Sequence, residues 1–212
     1  YFLSLENFLQ RICISKEQLR LLIRVGAFRF THRTKKQLLW DMLPLFGDEQ
    51  KTHPHPMLFE KEQHEFQLPA LTQFELDDAF DEIELLGFPL CNPFLLLKDE
   101  LNKMRSAQLQ NNIGKNIELI GYYVTNKYTS TIKKETMYFG TFLDADGYFF
   151  DTTHFPKIAA AFPFRGKGCY RIKGKVAEEF GFCSIDVSSM EKLDYRQRNE
   201  PEPKKSLTKS IS

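Results

Sequence analysis

The side chains best suited to chemistry lie between Lys127 and Lys134, namely Lys127, Tyr128, Lys133 and Lys134. A lysine ammonium neutralises a phosphate, and each such contact releases roughly one counterion, so binding weakens as salt rises. A tyrosine ring stacks on a base of any identity, worth on the order of 1–3 kcal/mol by alanine substitution. The plainer alternative is a solvated hairpin loop. A second basic group follows at Arg165, Lys167, Arg171, Lys173 and Lys175. In extended backbone Arg171, Lys173 and Lys175 share one face, while Tyr170, Ile172 and Gly174 take the other. That pattern fits a phosphate-contacting strip or the wet side of a half-exposed strand. Arg29, His32, Arg33, Lys35 and Lys36 form a third group, suited to duplex phosphates or to a charged turn between helices. Tyr138, Phe139, Phe142, Tyr148, Phe149 and Phe150 fall on both faces of their strands, so some must be core. Tyr138 and Tyr148 are expected to be the exposed pair.

The acidic pairs argue against catalysis in this chain. Asp144-Ala-Asp146 has a spacing that could hold metal ions for phosphoryl transfer. It precedes Gly147 between two apolar runs, where aspartate and glycine are ordinary turn formers. Asp77, Asp78 and Asp81 belong to the start of a helix, where negative charge complements the dipole. His53 and His55 sit two apart without further ligands. Cys13, Cys91, Cys169 and Cys183 have no C-x-x-C spacing, so reduced thiols in apolar settings are expected instead of a zinc site. No cofactor is expected here.

The elements that must position these groups can be read from periodicity. Ile117 to Val124, Met137 to Leu143, Tyr148 to Phe150, Gly168 to Val176 and Ser184 to Val187 read as five short strands. With a helix after the third, they fit an oligonucleotide/oligosaccharide-binding (OB) barrel over 115–193, whose first inter-strand loop borders the binding groove. Upstream, Ser4 and Ser15 cap helices with Leu5, Phe8, Leu9, Ile12 and then Leu19, Leu22, Ile23 on their apolar stripes. Gly26 stops the second, and a third runs from about Thr34 to near Pro44. Residues 1–45 thus form a helical domain. Residues 46–71, with Gly47, Pro54, Pro56 and Pro69, read as a linker. Residues 72–114 read as a helical connector, with Phe80, Ile83 and Leu86 on one helix and a second helix over Phe94 to Leu109. Residues 194–212 are polar and proline-bearing and are expected to be disordered. The fold class is therefore α+β.

Composition narrows the partners. The formal net charge of +1 excludes a strongly basic coat, so any electrostatic footprint is local. No apolar run is long enough to span a bilayer and no signal-peptide pattern is present, which favours a cytoplasmic location and no membrane partner. The chain opens on Tyr1, already inside an amphipathic pattern, as expected for a piece of a longer protein.

In this order the pieces resemble the C-terminal region of the alpha subunit of bacterial DNA polymerase III, the C-family replicative polymerase. Leu21 to Phe28 is similar to part of that family's helix-hairpin-helix region, and Glu84 to Leu90 with Asn92-Pro93 to the segment before its barrel. Met137 to Pro156 and Gly174 to Gly181 are similar to the middle and end of the barrel. The chain departs from the family at Leu90-Cys-Asn-Pro93, where a Gly-His-Pro stretch is usual. It also lacks the Gly-x-Gly hairpin that touches duplex phosphates, and it stops soon after the barrel.

The resemblance implies template-directed DNA synthesis by the parent, with Mg2+ held in a palm domain that this chain does not include. It implies a clamp-binding segment at His55, Met57, Leu58 and Phe59, with His55 where glutamine is usual. Single-stranded DNA, duplex DNA, the sliding clamp and the other polymerase domains are then the expected partners. The chain would hold DNA without catalysing. The alternative is a non-catalytic interaction scaffold whose barrel docks polymerase domains or accessory factors, a reading favoured by the near-neutral charge.

Overall fold

A computed structural model describes residues 1–46, 76–98, 102, 104–130 and 134–198. The chain divides into two compact units, Tyr1–Gly87 and Phe88–Ser212. The first unit is helical. Helix α1 spans Leu5–Arg11, α2 spans Lys16–Arg24, α3 spans Lys35–Leu45 and α4 spans Asp77–Leu86. The caps expected at Ser4 and Ser15 are in place, and Thr34 supplies a third. The Ser4 hydroxyl accepts from the Asn7 amide, and Ser15 with Gln18 and Thr34 with Gln37 close reciprocal capping boxes. Each cap satisfies an otherwise orphaned amide, typically worth ~1 kcal/mol. Gly26 follows α2 with φ +77°, a conformation glycine adopts without a Cβ clash. Leu5, Leu19, Ile23, Phe28, Leu38 and Met42 form the core between α1, α2 and α3.

Helix α4 departs from expectation. Its buried positions are Ala79, Asp81 and Glu82, while Leu86 is exposed. Arg24 of α2 meets Asp81 at 2.9 Å and also pairs with Glu84, and Arg29 pairs with Glu82. Asp81 is therefore an ion-pair partner one turn into the helix and does not serve its N-terminal dipole. The expected helix is present with Phe80 and Ile83 half-buried, and its carboxylates turn to Arg24 and Arg29.

The second unit is a barrel. Strand β1 spans Asn116–Ser130, β2 Thr136–Leu143, β3 Phe149–His154, β4 Cys169–Glu179 and β5 Phe182–Lys192, with helix α5 at Pro156–Ala161. The strands close in the order β1-β2-β3-β5-β4. Only the β3–β5 ladder is parallel. A five-stranded barrel in this order, with a helix between the third and fourth strands, is an OB fold. Leu119, Phe142, Phe150, Tyr170, Ile172, Val176, Ile185, Val187 and Met190 fill it, joined by Leu109 from the preceding segment. Gly174 lies at a bulge, where a Cβ would meet the Asp186 carbonyl oxygen at 2.3 Å.

Three expectations are corrected here. The strand expected to end at Val124 continues to Ser130 past a bulge between Tyr123 and Thr125. The helix expected over Phe94 to Leu109 is replaced by 3-10 turns at Pro93–Leu96, Ser106–Gln108 and Gln110–Asn112. Asn92 caps the first of these turns, and the Arg105 guanidinium donates to the Asn102 and Met104 carbonyls, which an uninterrupted helix would use internally. Residues 194–198, expected to be disordered, pin that same segment. Leu97 bridges Tyr195, and Arg196 donates from its amide to Leu96 O (2.7 Å) and from Nε to Leu97 O (2.9 Å). The linker core at 47–75, with His55, Met57, Leu58 and Phe59, and the tail at 199–212 lie outside the described residues.

Candidate nucleic-acid interface

Ladder register sorts the barrel side chains by face. Paired residues share a face, so Tyr123, Phe142 and Phe150 point inward together, as do Asn126, Gly140 and Thr152. The alternate rows point outward. Tyr122, Leu143 and Phe149 form one outer row, Thr125, Thr141 and Asp151 the next, and Lys127, Phe139 and Thr153 the third. Ser184 of β5 pairs with Asp151, so Phe182 and Phe149, each two residues earlier on parallel strands, occupy the same end of this surface. The outer face of β1, β2 and β3 is thus a polar band with an aromatic at each end. The projecting β1–β2 arm bounds one side, and the β4–β5 hairpin bounds the other. This is the surface that OB folds present to oligomeric ligands.

The expected residues separate on this frame. Lys127 and Tyr128 lie in the extended end of β1 instead of the loop, and both are exposed. Lys134 is exposed just before β2, and Lys133 lies outside the described residues. Tyr138 is half-buried, facing Tyr128 and His154 across the ladders and meeting the Phe164 ring edge-on at 5.8 Å, so it is not the exposed aromatic expected. Tyr148 is exposed in the β2–β3 turn. Phe139 and Phe149 are the exposed aromatics of the face itself.

Arg171 and Lys173 stand on β4, which pairs with β1 and β5 and shares no ladder with β2 or β3. Glu118 lies between them, 3.6 Å from Arg171 and 3.2 Å from Lys173, and Glu191 is 3.3 Å from Arg171. Lys175 faces Asp186 across the ladder. This strip is an interleaved ion-pair surface on another wall of the barrel. Arg165 is exposed, and its backbone accepts from the Lys192 ammonium. Lys167 donates to the Val124 carbonyl and sits 5.0 Å from the Tyr123 ring centroid. In the helical unit Arg33 pairs with Asp41, Lys35 with Asp78 at 3.2 Å and Lys36 with Asp77 at 3.3 Å. Arg29, Arg33, Lys35 and Lys36, expected to touch duplex phosphate, therefore each already have a carboxylate partner.

Buried polar groups hold the face in shape. Asp144 opens the β2–β3 turn, accepting from the amides of Asp146 and Tyr148 with one oxygen and from the amide and hydroxyl of Ser106 with the other. Burial pushes its carboxyl up, but these hydrogen bonds together outweigh burial and hold it below the usual range. The Asp144-Ala-Asp146 spacing is thus turn chemistry. Thr152 donates to the Gly140 carbonyl at 3.0 Å, so the His154 Nε2 at 3.0 Å must donate to the Thr152 oxygen. Among the described residues His154 Nδ1 has no partner, and burial lowers the imidazole to about 4. Cys169 lies in an apolar setting, its thiol pushed up to about 12 by burial, whereas Cys13 and Cys91 are exposed.

Sequence reasoning missed the β4–β5 hairpin tip. Phe180 is 99% exposed and Phe182 80% exposed, with Glu178 and Glu179 beside them. Phe180 sits at φ 53° and Gly181 at φ +84°. Two residues at positive φ between paired strands make a tight hairpin that favours asparagine or glycine at the first position. A phenylalanine there, next to Gly181, was the available signal.

No protein-family model matches the sequence, and no curated protein matches it. Among solved structures, a lipoprotein of Klebsiella pneumoniae provisionally designated nucleic acid-binding aligns with 42% of this chain and 78% of its own, at 13% identity and a TM-score of 0.33. The N-terminal domain of PriB from Thermoanaerobacter tencongensis aligns with 41% of this chain and 99% of its own, at 8% identity and a TM-score of 0.30. The second OB-fold domain of replication protein A from Methanococcus maripaludis aligns with 41% and 89%, at 14% identity and a TM-score of 0.27. The fold assignment rests on the strand order and ladders of this barrel.

Proposed function

We propose that this chain binds single-stranded nucleic acid across the outer face of β1, β2 and β3 and supplies no chemistry of its own. The carrying observation is the placement of exposed Phe139 and Phe149 with Lys127 on one outward surface, between the β1–β2 arm and the β4–β5 hairpin. Aromatic faces separated by a polar band suit unstacked bases, and the lysine suits the backbone between them. At a finer level, the collinear resemblance supports a segment of a polymerase III alpha subunit. In that setting a palm elsewhere performs Mg2+-dependent synthesis, the barrel holds template, and Leu58 and Phe59 engage the clamp, all in the cytoplasm. Weak holding contacts improve processivity by raising the effective concentration of DNA at a distant site.

The test is fluorescence anisotropy with 5′-labelled dT12 on Phe139→Ala and Phe149→Ala. Each substitution is expected to weaken binding by about 5- to 100-fold, the loss of one stacked base. Unchanged affinity in both, with the barrel still folded, defeats the reading. A second reading is favoured by one observation, the exposed Phe180 between Glu179 and Gly181 with two carboxylates alongside. An acidic, apolar tip suits a basic-rimmed pocket on another protein, as the interaction scaffold would require. No measurable dT12 binding by the intact chain favours that scaffold.

A further inference from the structure

Beside the outer row of Tyr122, Leu143 and Phe149 lies a groove of about 290 Å³. Phe88, Pro89, Cys91 and Pro93, from the segment that precedes the barrel, line it together with Tyr122 and Leu143 of the barrel. Phe88, one of the lining residues, is 47% exposed. Val124, the residue skipped at the β1 bulge, also lines it. Among the described residues, one charged side chain, Lys167, reaches the lining, and no carboxylate does. The Lys167 ammonium spends one donor on the Val124 carbonyl, leaving donors for an anion.

We propose that this groove is a nucleotide subsite, holding one unstacked base between Phe88 and Tyr122 with its phosphate on Lys167. The inference rests on the single-strand reading of the adjoining face. The shape and charge favour a nucleotide over an apolar peptide. A flat apolar body fits aromatic and proline walls, and the single cation without a neighbouring acid is complementary to one negative charge. Leu143 lies on both the groove and the outer row that ends at Phe149, so a strand tracking the face arrives at the groove without turning away from the barrel.

The probe is labelled dT12 together with a series in which one thymine at a time is replaced by an abasic spacer. The intact chain should show one position where the spacer costs about 5-fold or more. Phe88→Ala should lower dT12 affinity by about 5- to 10-fold and flatten the penalty at that position. Lys167→Gln should lower affinity less and reduce the salt slope by about one phosphate contact. Phe139→Ala should weaken binding yet retain the spacer-sensitive position, because it acts elsewhere on the face. If Phe88→Ala and Lys167→Gln bind the whole series as the parent does while Phe139→Ala weakens it, the groove inference fails and the face stands. If the intact chain does not bind dT12, both fail. Melting curves of each variant confirm that lost binding is not lost folding.

Discussion

His154 ends β3 with its ring buried, tilted against Phe164 at a centroid distance of 4.9 Å, and its Nδ1 without a hydrogen-bond partner among the described residues. Burial lowers its imidazole from 6.5 to about 4, so the folded chain keeps the ring neutral where the unfolded chain takes up a proton. Stability is full above pH 6.5, where neither state is protonated at this site. It falls as pH drops towards 4, by up to about 1.4 kcal/mol per pH unit. Urea unfolding at pH 7, 5.5 and 4.5 should show this slope, and His154→Leu should flatten it. An identical pH dependence in His154→Leu would mean that other groups carry the transition. Asp144 works at a different end of the scale. Its depressed carboxyl contributes above the ordinary carboxylate range and is lost only as pH falls through its lower folded value. The two side chains together leave neutral pH as the region where the β2–β3 face is best supported.

At the scale of elements, the β4–β5 hairpin carries a cost with no folding return. Phe180 is held in the left-handed region while touching almost nothing. Such a conformation costs a non-glycine residue about 1–2 kcal/mol, and burial of the ring contributes nothing to offset it. Phe180→Gly should therefore raise stability by about 0.5–1 kcal/mol, after the extra unfolded-state freedom of glycine is subtracted. If the tip borders the single-strand surface, the same variant should bind dT12 less tightly. Thermal melting and anisotropy on one sample decide it, since a stabilised variant with unchanged affinity would leave the phenylalanine without this role. The same element shows where the sequence was readable. Helix caps at Ser4 and Ser15 were legible because each uses a local side-chain–backbone bond. The inward row of β4 was legible from strict alternation, Tyr170, Ile172 and Val176 being buried while Lys173 and Lys175 face water. The extension of β1 through Thr125 to Ser130 was not, because that run is polar on both faces and is paired only through the arm it forms with β2. The helix expected over Phe94 to Leu109 failed for a nonlocal reason: the partner of Leu96 and Leu97 is Arg196, far along the chain. For the site, alternation could not choose between Tyr138 and Phe139, since both faces of β2 carry rings and only the barrel closure decides which is wet.

For the whole molecule, the near-balance of 29 basic and 28 acidic residues makes local pairing decisive. In the helical unit Arg24, Arg29, Arg33, Lys35 and Lys36 each have a carboxylate partner. On β4, Glu118 and Glu191 do the same for Arg171 and Lys173. Binding a phosphate with any of these would first require separating an ion pair, which returns part of the electrostatic gain. Lys127, Lys134 and Lys167 are the cations placed on or beside the outer face or its groove for which the described residues supply no carboxylate within 4.0 Å. Three phosphate contacts on a single strand release about two counterions in total, so log affinity should fall against log salt with a slope of roughly −2. Anisotropy with dT12 between 50 and 300 mM salt measures it, to order of magnitude in the range where such slopes are linear. A slope near −5 or steeper would require the paired cations of β4 or of the helical unit to engage the strand, and the interface would then not be confined to the outer face. A slope near zero, with binding intact, would leave stacking on Phe139 and Phe149 as the whole of the interaction, and Lys127→Glu should then leave affinity unchanged.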